Sequence, residues 1–259
     1  MTAATATTSA APSREFGAAR HVIAVLRLLF VNKTQLLYTP IGGQIAIFLL
    51  NYAIWWIIVV AAGANPGDHP NIHLEYSGAV LYTFVFAMII AVQAMLRTFP
   101  FSLGFGVTRR DFYLGASAAF VILAATFAAV VTLLGSIELA TKGWRIGGYL
   151  FAPAYFSDTF WLARFAVYFL LLLFLMFVGA VVSAIYMRWR AFGVSLFFIL
   201  LAVVIVAAIA VITLTHEWDA VWGWVNRTGP FGLVVWSLVP TVVCAVGGFL
   251  VLRRATPKS

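Results

Sequence analysis

The chain is poor in what a soluble surface needs. Only 9% of its 259 residues are charged, against about a quarter in soluble domains, while 64% are hydrophobic and mean hydropathy is +1.04. A soluble globular domain is excluded. Cysteine occurs once, as Cys244, so no intrachain disulfide can form, and its place within an apolar run makes it a small packing residue. No Gly-Lys dipeptide occurs; without a phosphate-cradling Walker loop, ATP hydrolysis on this chain is ruled out. No G-x-S-x-G elbow, paired carboxylates or His/Cys cluster lies inside an apolar run, so an intramembrane enzyme lacks its reactive groups and no metal or other cofactor is expected on the chain. His216-Glu217 opens like a zinc-protease motif, but position 220 is alanine and the second histidine is missing. Ionisable residues are also absent from the middles of the apolar runs, which removes the equipment of a proton-coupled carrier or ion channel. Acidic residues number 8 against 16 basic, a net charge of +8. The cations are dispersed among loops and form no aromatic-studded patch, so nucleic acid is not an expected partner.

What is present is a series of apolar runs of about 20 residues or more, each able to cross a hydrocarbon core of roughly 30 Å as a helix. Runs this long and unbroken also exclude a transmembrane barrel. The expected architecture is an all-α polytopic membrane protein with spans near 41–62, 77–96, 113–137, 160–187, 192–215 and 229–252. Residues 1–13, rich in Ala, Thr and Ser with no basic residue or apolar core, read as a disordered tail and not as a signal peptide. Residues 255–259 read as a second short tail. Within 14–39, Val22, Val25, Leu26, Leu29 and Phe30 share one helix face while Arg20 and Arg27 point away, the pattern of a helix lying in the membrane interface.

Charge sets the orientation. Placing the termini and the 97–112 and 188–190 turns in the cytosol puts twelve of the sixteen basic residues inside and six of the eight acids outside. Six spans with both termini cytoplasmic follow. The outer segments hold Lys142, Arg145, Arg164 and Arg227. Arg164 either snorkels to headgroups, pairs with Asp158 or meets an anionic substrate. Asp68, His69, His73 and Glu75 fall in an exposed polar loop, where Pro70 argues against a helical metal pair. Trp218, Val221, Trp222 and Val225 predict a short helix in the outer interface. Pro240 predicts a kink in the last span.

Polar residues within the spans are few. Gln44, Asn51 and Trp55 share a face of the first span, and Tyr82 and Gln93 nearly share one in the second. Two readings stand for them: a stripe facing a substrate pathway, or interhelical hydrogen bonds that hold the bundle together. Small residues at Gly115 and Ala119, Ala125 and Ala129, and Gly179 to Ala184 allow close helix approach.

The 98–115 stretch, TFPFSLGFGVTRRDFYLG, interrupts the apolar pattern with glycine, aromatic and basic residues. Pro100, Gly104 and Gly106 are expected to keep the flanking helices apart, and Thr108 to cap a short interfacial helix starting at Arg109. It resembles the cytoplasmic coupling segment of type-2 permeases of bacterial ATP-binding-cassette (ABC) exporters. That resemblance implies that Phe101, Gly104, Gly106, Thr108, Arg109, Arg110, Asp111 and Phe112 contact, or orient the contact with, a separate ABC ATPase subunit that carries ATP and magnesium. It also implies an N-terminal elbow helix, a second permease copy or a similar permease in the complex, export of an apolar or amphipathic cargo, and residence in the bacterial cytoplasmic membrane. From the residues alone, 98–115 is a basic inside loop that sets topology, and a membrane scaffold or immunity protein is the alternative function.

Overall fold

The computed structural model describes residues 14–63, 74–75, 78–152 and 160–254. The terminal tails, Asp68, His69, His73 and Asp158 lie outside them, and with them the expectations for those residues. The described chain is all-α apart from one pair of two-residue strands, β1 (Leu74–Glu75) and β2 (Gly148–Tyr149), which run parallel. Five helical stretches are long and apolar enough to cross a membrane: Thr34–Ala61, Gly78–Gly104, Arg109–Ala140, Trp161–Leu214 and Phe231–Arg253.

Helix α1 (Arg14–Leu29) buries the face its periodicity predicts: Val25 is 1% exposed, while Arg20 and Arg27 are exposed. A π-type turn (Thr34–Tyr38) leads into α2 (Thr39–Ala61), with Pro40 in its first turn, where the missing N–H leaves no intrahelical bond unmade. Helix α3 (Gly78–Gln93) passes through a second π-type turn (Ala94–Thr98) into α4 (Phe99–Gly104) without interruption. Here the structure corrects the expected boundary. Pro100 does not end the helix: the chain widens just before it, where the ring would displace a hydrogen bond its nitrogen cannot make. The chain turns instead at Phe105–Gly106, with Gly106 at φ 77°. Helix α5 starts at Arg109 and runs unbroken to Ala140, so the residues expected to form a short separate helix are its first turn.

Helix α6 (Trp161–Leu214) has 54 residues and is interrupted at Arg190, at φ 59° and ψ −154°, within the basic turn read from Arg188-Trp189-Arg190. Helix α7 (Trp218–Trp236) covers the expected outer helix and breaks at Gly229, φ 64°. Helix α8 (Leu238–Arg253) follows. The kink expected of Pro240 takes the form of an interruption at Ser237, three residues earlier, because Pro240 has no N–H to offer the Trp236 carbonyl. The Ser237 hydroxyl donates to Val234 O at 2.6 Å.

Helix α5 is central, packed by α1, α3, α6 and α8. Close approach explains the small residues. A Cβ on Gly115 would lie 2.8 Å from Val25, and one on Gly179 would lie 2.9 Å from the Met88 carbonyl of α3. Ala180, Ser183 and Ala184 are buried on the same side of α6, as the small-residue pattern predicts. The Ala125/Ala129 pair is different: Ala125 is half-buried and Ala129 exposed. The second arm of α6, 191–214, is apolar and almost wholly exposed, from Phe192 at 76% to Leu214 at 79%. It therefore lies outside the bundle core of its own chain, and lipid or another subunit must cover it.

Candidate partner-docking site

The turn between α4 and α5 is built from the helix ends on either side. Thr108 sits in extended backbone, and its hydroxyl accepts the Asp111 N–H at 3.1 Å, capping α5 as the sequence predicts. On the other side, Val107 N donates to Ser102 O and Gly106 N to Leu103 O, closing the turn on the end of α4. Ser102 is buried and bonds its own helix through Phe99 O. The turn is therefore fixed at both ends by local hydrogen bonds.

Its outer surface is aromatic and basic. Phe101 is 54% exposed and Phe105 74%, their rings 4.8 Å apart edge to face. Gly104, Gly106, Thr108 and Arg110 are exposed beside them. The remaining expected contact residues turn inward. Phe112 is fully buried, packed edge to face on Phe99 at 5.1 Å. Asp111 is buried at the helix start, its carboxylate 3.4 Å from His21 Nδ1 of α1. Arg109 reaches across to α8, donating from Nη1 to Arg253 O at 2.9 Å. An end-of-helix carbonyl is a favourable place for a cation. Asp111, Phe112 and Arg109 thus join the turn to α1, α4 and α8, while Phe101, Phe105 and Arg110 form what a partner could touch. Phe105 is absent from the set read off the sequence. Its signal was the i, i+4 spacing from Phe101.

The polar residues of the spans divide. Gln44 is 4% exposed, its Oε1 accepting from the Thr83 hydroxyl at 2.7 Å. Its Nε2 has no acceptor and borders a cavity of about 10 Å³ closed by Pro40, Thr83, Phe127 and Val131, at the lower limit for one water. Asn51 bonds its own helix at Ile47 O. Trp55 is buried against Gly148, and Tyr82 lies against Gly43. These four are engaged in contacts within the chain. Gln93 differs: its Oε1 accepts from Gln35 Nε2 at 2.6 Å, and Gln35 accepts in turn from Asn32. Together with Arg97 and Thr98 they line a cleft of about 150 Å³ between the end of α1 and the π-type turn before α4. Gln35 carried no signal in the sequence, since its partner is 58 residues away.

At the other end of α5, Glu138 was legible only as an outside acid. It is fully buried, and its carboxylate accepts from the N–H groups of Leu150, Phe151 and Ala152 and from Trp144 Nε1, all at 2.8–3.2 Å. The segment it gathers is strained, with Lys142, Trp144 and Arg145 at positive φ. Gly148 rests on Trp55, Trp144 on Phe48 at 4.5 Å, and the Tyr168 hydroxyl donates to Phe151 O at 2.7 Å. One carboxylate therefore ties a loop that bridges α2, α5 and α6. Among the described residues no His, Cys, Asp and Glu gather into a metal-binding group.

Comparison with protein-family models, curated proteins and solved structures finds no match to this chain. The functional reading accordingly rests on the residues and their arrangement.

Proposed function

We propose that the chain is the membrane-spanning permease subunit of a bacterial ABC exporter of the type-2 branch, six spans with both termini in the cytosol. It works as a pair with a second copy or a similar permease, and a separate ATPase docks on the turn between α4 and α5. The observation that carries the reading is the exposed Phe101–Phe105–Arg110 surface, set on the ends of two long apolar helices and braced from behind by α1 and α8. Aromatic and arginine anchors are the side chains that dominate protein interfaces. Force applied there would pass directly into α3 and α5, and through Arg109 and Asp111 into α8 and α1. Cargo would move by alternating access from the cytoplasm or inner leaflet outward. Its chemistry would be apolar or amphipathic, since the spans carry few fixed charges.

The six-span count is supported by direction. Tyr113 of α5 bonds Ala245 of α8, Arg109 bonds Arg253, and Gly248 abuts both Tyr113 and Val181 of α6. With the first arm of α6 and α8 read as running the same way, the 24 residues of 191–214 would return across, about 36 Å of helix.

A second reading, a non-transporting membrane scaffold or immunity protein, is favoured by one observation: Gln44, Asn51, Trp55 and Tyr82 are used in contacts within the chain. Purifying the gently solubilised chain from its host, with ATPase assay and mass identification of co-purifying chains, separates the two. The exporter reading expects a stoichiometric Walker-containing subunit, and expects Phe105→Ala with Arg110→Glu to weaken its recovery by about tenfold or more. Recovery of the chain alone, or with a partner that is not an ATPase, favours the scaffold. Undiminished ATPase recovery with the double variant would remove the docking turn from the proposal.

A further inference from the structure

Two π-type turns meet at the cleft between the end of α1 and the start of α4. Gln35 and Leu36 come from the turn before α2, and Ala94, Arg97 and Thr98 from the turn before α4. Single π-type turns inside helices recur at functional sites, and the second one here has a direct consequence. With hydrogen bonds running from i to i+5, Thr98 comes to stand over Gln93, whereas at 3.6 residues per turn it would point well away. Gln93, Arg97 and Thr98 therefore line one cleft. The hydrogen bonds along it run in one direction. The backbone N–H of Gln35 can only donate, which fixes Asn32 Oδ1 toward it at 3.1 Å. Asn32 Nδ2 is thereby turned to Gln35 Oε1 at 3.3 Å, and Gln35 Nε2 to Gln93 Oε1 at 2.6 Å. Each amide oxygen is consumed, and the chain ends on Gln93 Nε2, which has no acceptor. Among the described residues, neither the Thr98 hydroxyl nor the Arg97 guanidinium has a partner either. None of the three is sealed: Arg97 is exposed, and the unpartnered atoms of the half-buried Gln93 and Thr98 remain open to solvent.

No Asp or Glu lines the cleft. A guanidinium, an amide N–H and a hydroxyl with no carboxylate among them are complementary to an anion. Depth and size narrow its kind. A hydrocarbon core takes about 20 residues of helix, and counted from Gly78 that length ends at Arg97, at headgroup level. The volume of about 150 Å³ falls short of the roughly 300 Å³ at which sites enclose a drug-sized molecule, so the cleft takes a phosphate with its ester arms and excludes a nucleotide. Leu28 and Leu36 supply its apolar wall. We infer that this cleft binds the phosphate of one anionic phospholipid. The non-ester oxygens accept from Arg97, Gln93 and Thr98, and the glycerol end lies on Leu28 and Leu36. The site rests on residues 78–104 crossing the membrane and stands whether or not the chain is an exporter.

The test uses the delipidated full chain in detergent, with phosphatidylglycerol and phosphatidylcholine of identical acyl chains as probes, and counts bound lipid by native mass spectrometry. Because no carboxylate lines the cleft to receive choline, phosphatidylglycerol is expected to bind about fivefold more tightly. Arg97→Gln should remove that preference and Arg97→Lys should keep part of it. Arg97 makes no bond within the chain, so the melting temperature of the lipid-free variants should stay unchanged and a lost preference reports the headgroup, not the fold. Thr98→Val should weaken phosphatidylglycerol about threefold, and Leu28→Trp should weaken it further by filling the cleft. Millimolar inorganic phosphate, which lacks the glycerol and acyl chains, is expected to leave bound phosphatidylglycerol in place. Displacement by it would overturn the lipid as source and assign the cleft to a soluble phosphate. Equal affinity of the native chain for the two lipids, or a preference that survives both Arg97→Gln and Leu28→Trp, overturns the site.

Discussion

At the scale of single residues, the most consequential side chain is Glu138. Four N–H groups converge on its carboxylate, and three of them belong to backbone that has no other acceptor in view. Removing the carboxylate would leave buried donors unpaired at about 1–3 kcal/mol each. Glu138→Ala is therefore expected to cost about 3 kcal/mol or more, read as a lowered melting temperature in detergent, with faster tryptic cleavage at Lys142 and Arg145 as the loop comes free. Glu138→Gln keeps the shape but turns a donor toward donors, and should fall between. An unchanged melt and unchanged cleavage in the alanine variant would mean the loop is held by Trp55 and Tyr168 instead. The sequence hid this residue because its partners lie twelve to fourteen positions later, and nothing in composition or periodicity says the chain will fold back on itself. The Thr108 cap could be read in advance because cap and recipient are three residues apart.

At the scale of helices, apolar runs and their punctuation located every long element, and the apolar face of α1 was legible from spacing alone. Boundaries were less so. Pro100 removes one donor, and whether that ends a helix or merely widens it depends on the packing of Met95 and Phe99, both buried, which no local rule contains. Likewise, the pattern of small residues said that helices would approach closely but not where: Gly115 meets α1 and Gly179 meets α3, while Ala129 is exposed. The contact between α1 and α5 is the one that links the interface helix to the docking turn, and it can be tested by contrast. Gly115→Ala would drive a methyl to 2.8 Å from Val25 and 3.0 Å from the Val22 carbonyl, and should destabilise by about 1–3 kcal/mol. Gly104→Ala meets nothing within 4 Å and should be neutral or slightly stabilising. Thermal unfolding of the two variants in one detergent gives the comparison. Equal melting temperatures would show that α1 is loosely attached and cannot brace the turn.

At the scale of the molecule, the proposed topology depends on one strained residue. Arg190 interrupts a 54-residue helix in a backbone region that a side chain rarely adopts, and the six-span proposal places a reversal there. Charge leads to the same place by an independent route, since Arg188 and Arg190 are the cations that the bias toward inside loops would put in the cytosol. A membrane-impermeant maleimide applied to intact cells decides the matter. Starting from Cys244→Ser, a cysteine placed at Ala191 should be unreactive until the cells are opened, while one placed at Glu217, exposed just beyond the second arm, should react from outside. With five spans instead of six, Arg190 would lie within one tilted, continuous crossing. The two cysteines would then show no such opposition, and α7, α8 and the C-terminal cations would be carried to the wrong side for Arg109 to hold Arg253. The labelling pattern therefore tests the bond between α5 and α8 as well as the count, and a failure of opposition would detach the docking turn from the last helix it is proposed to move.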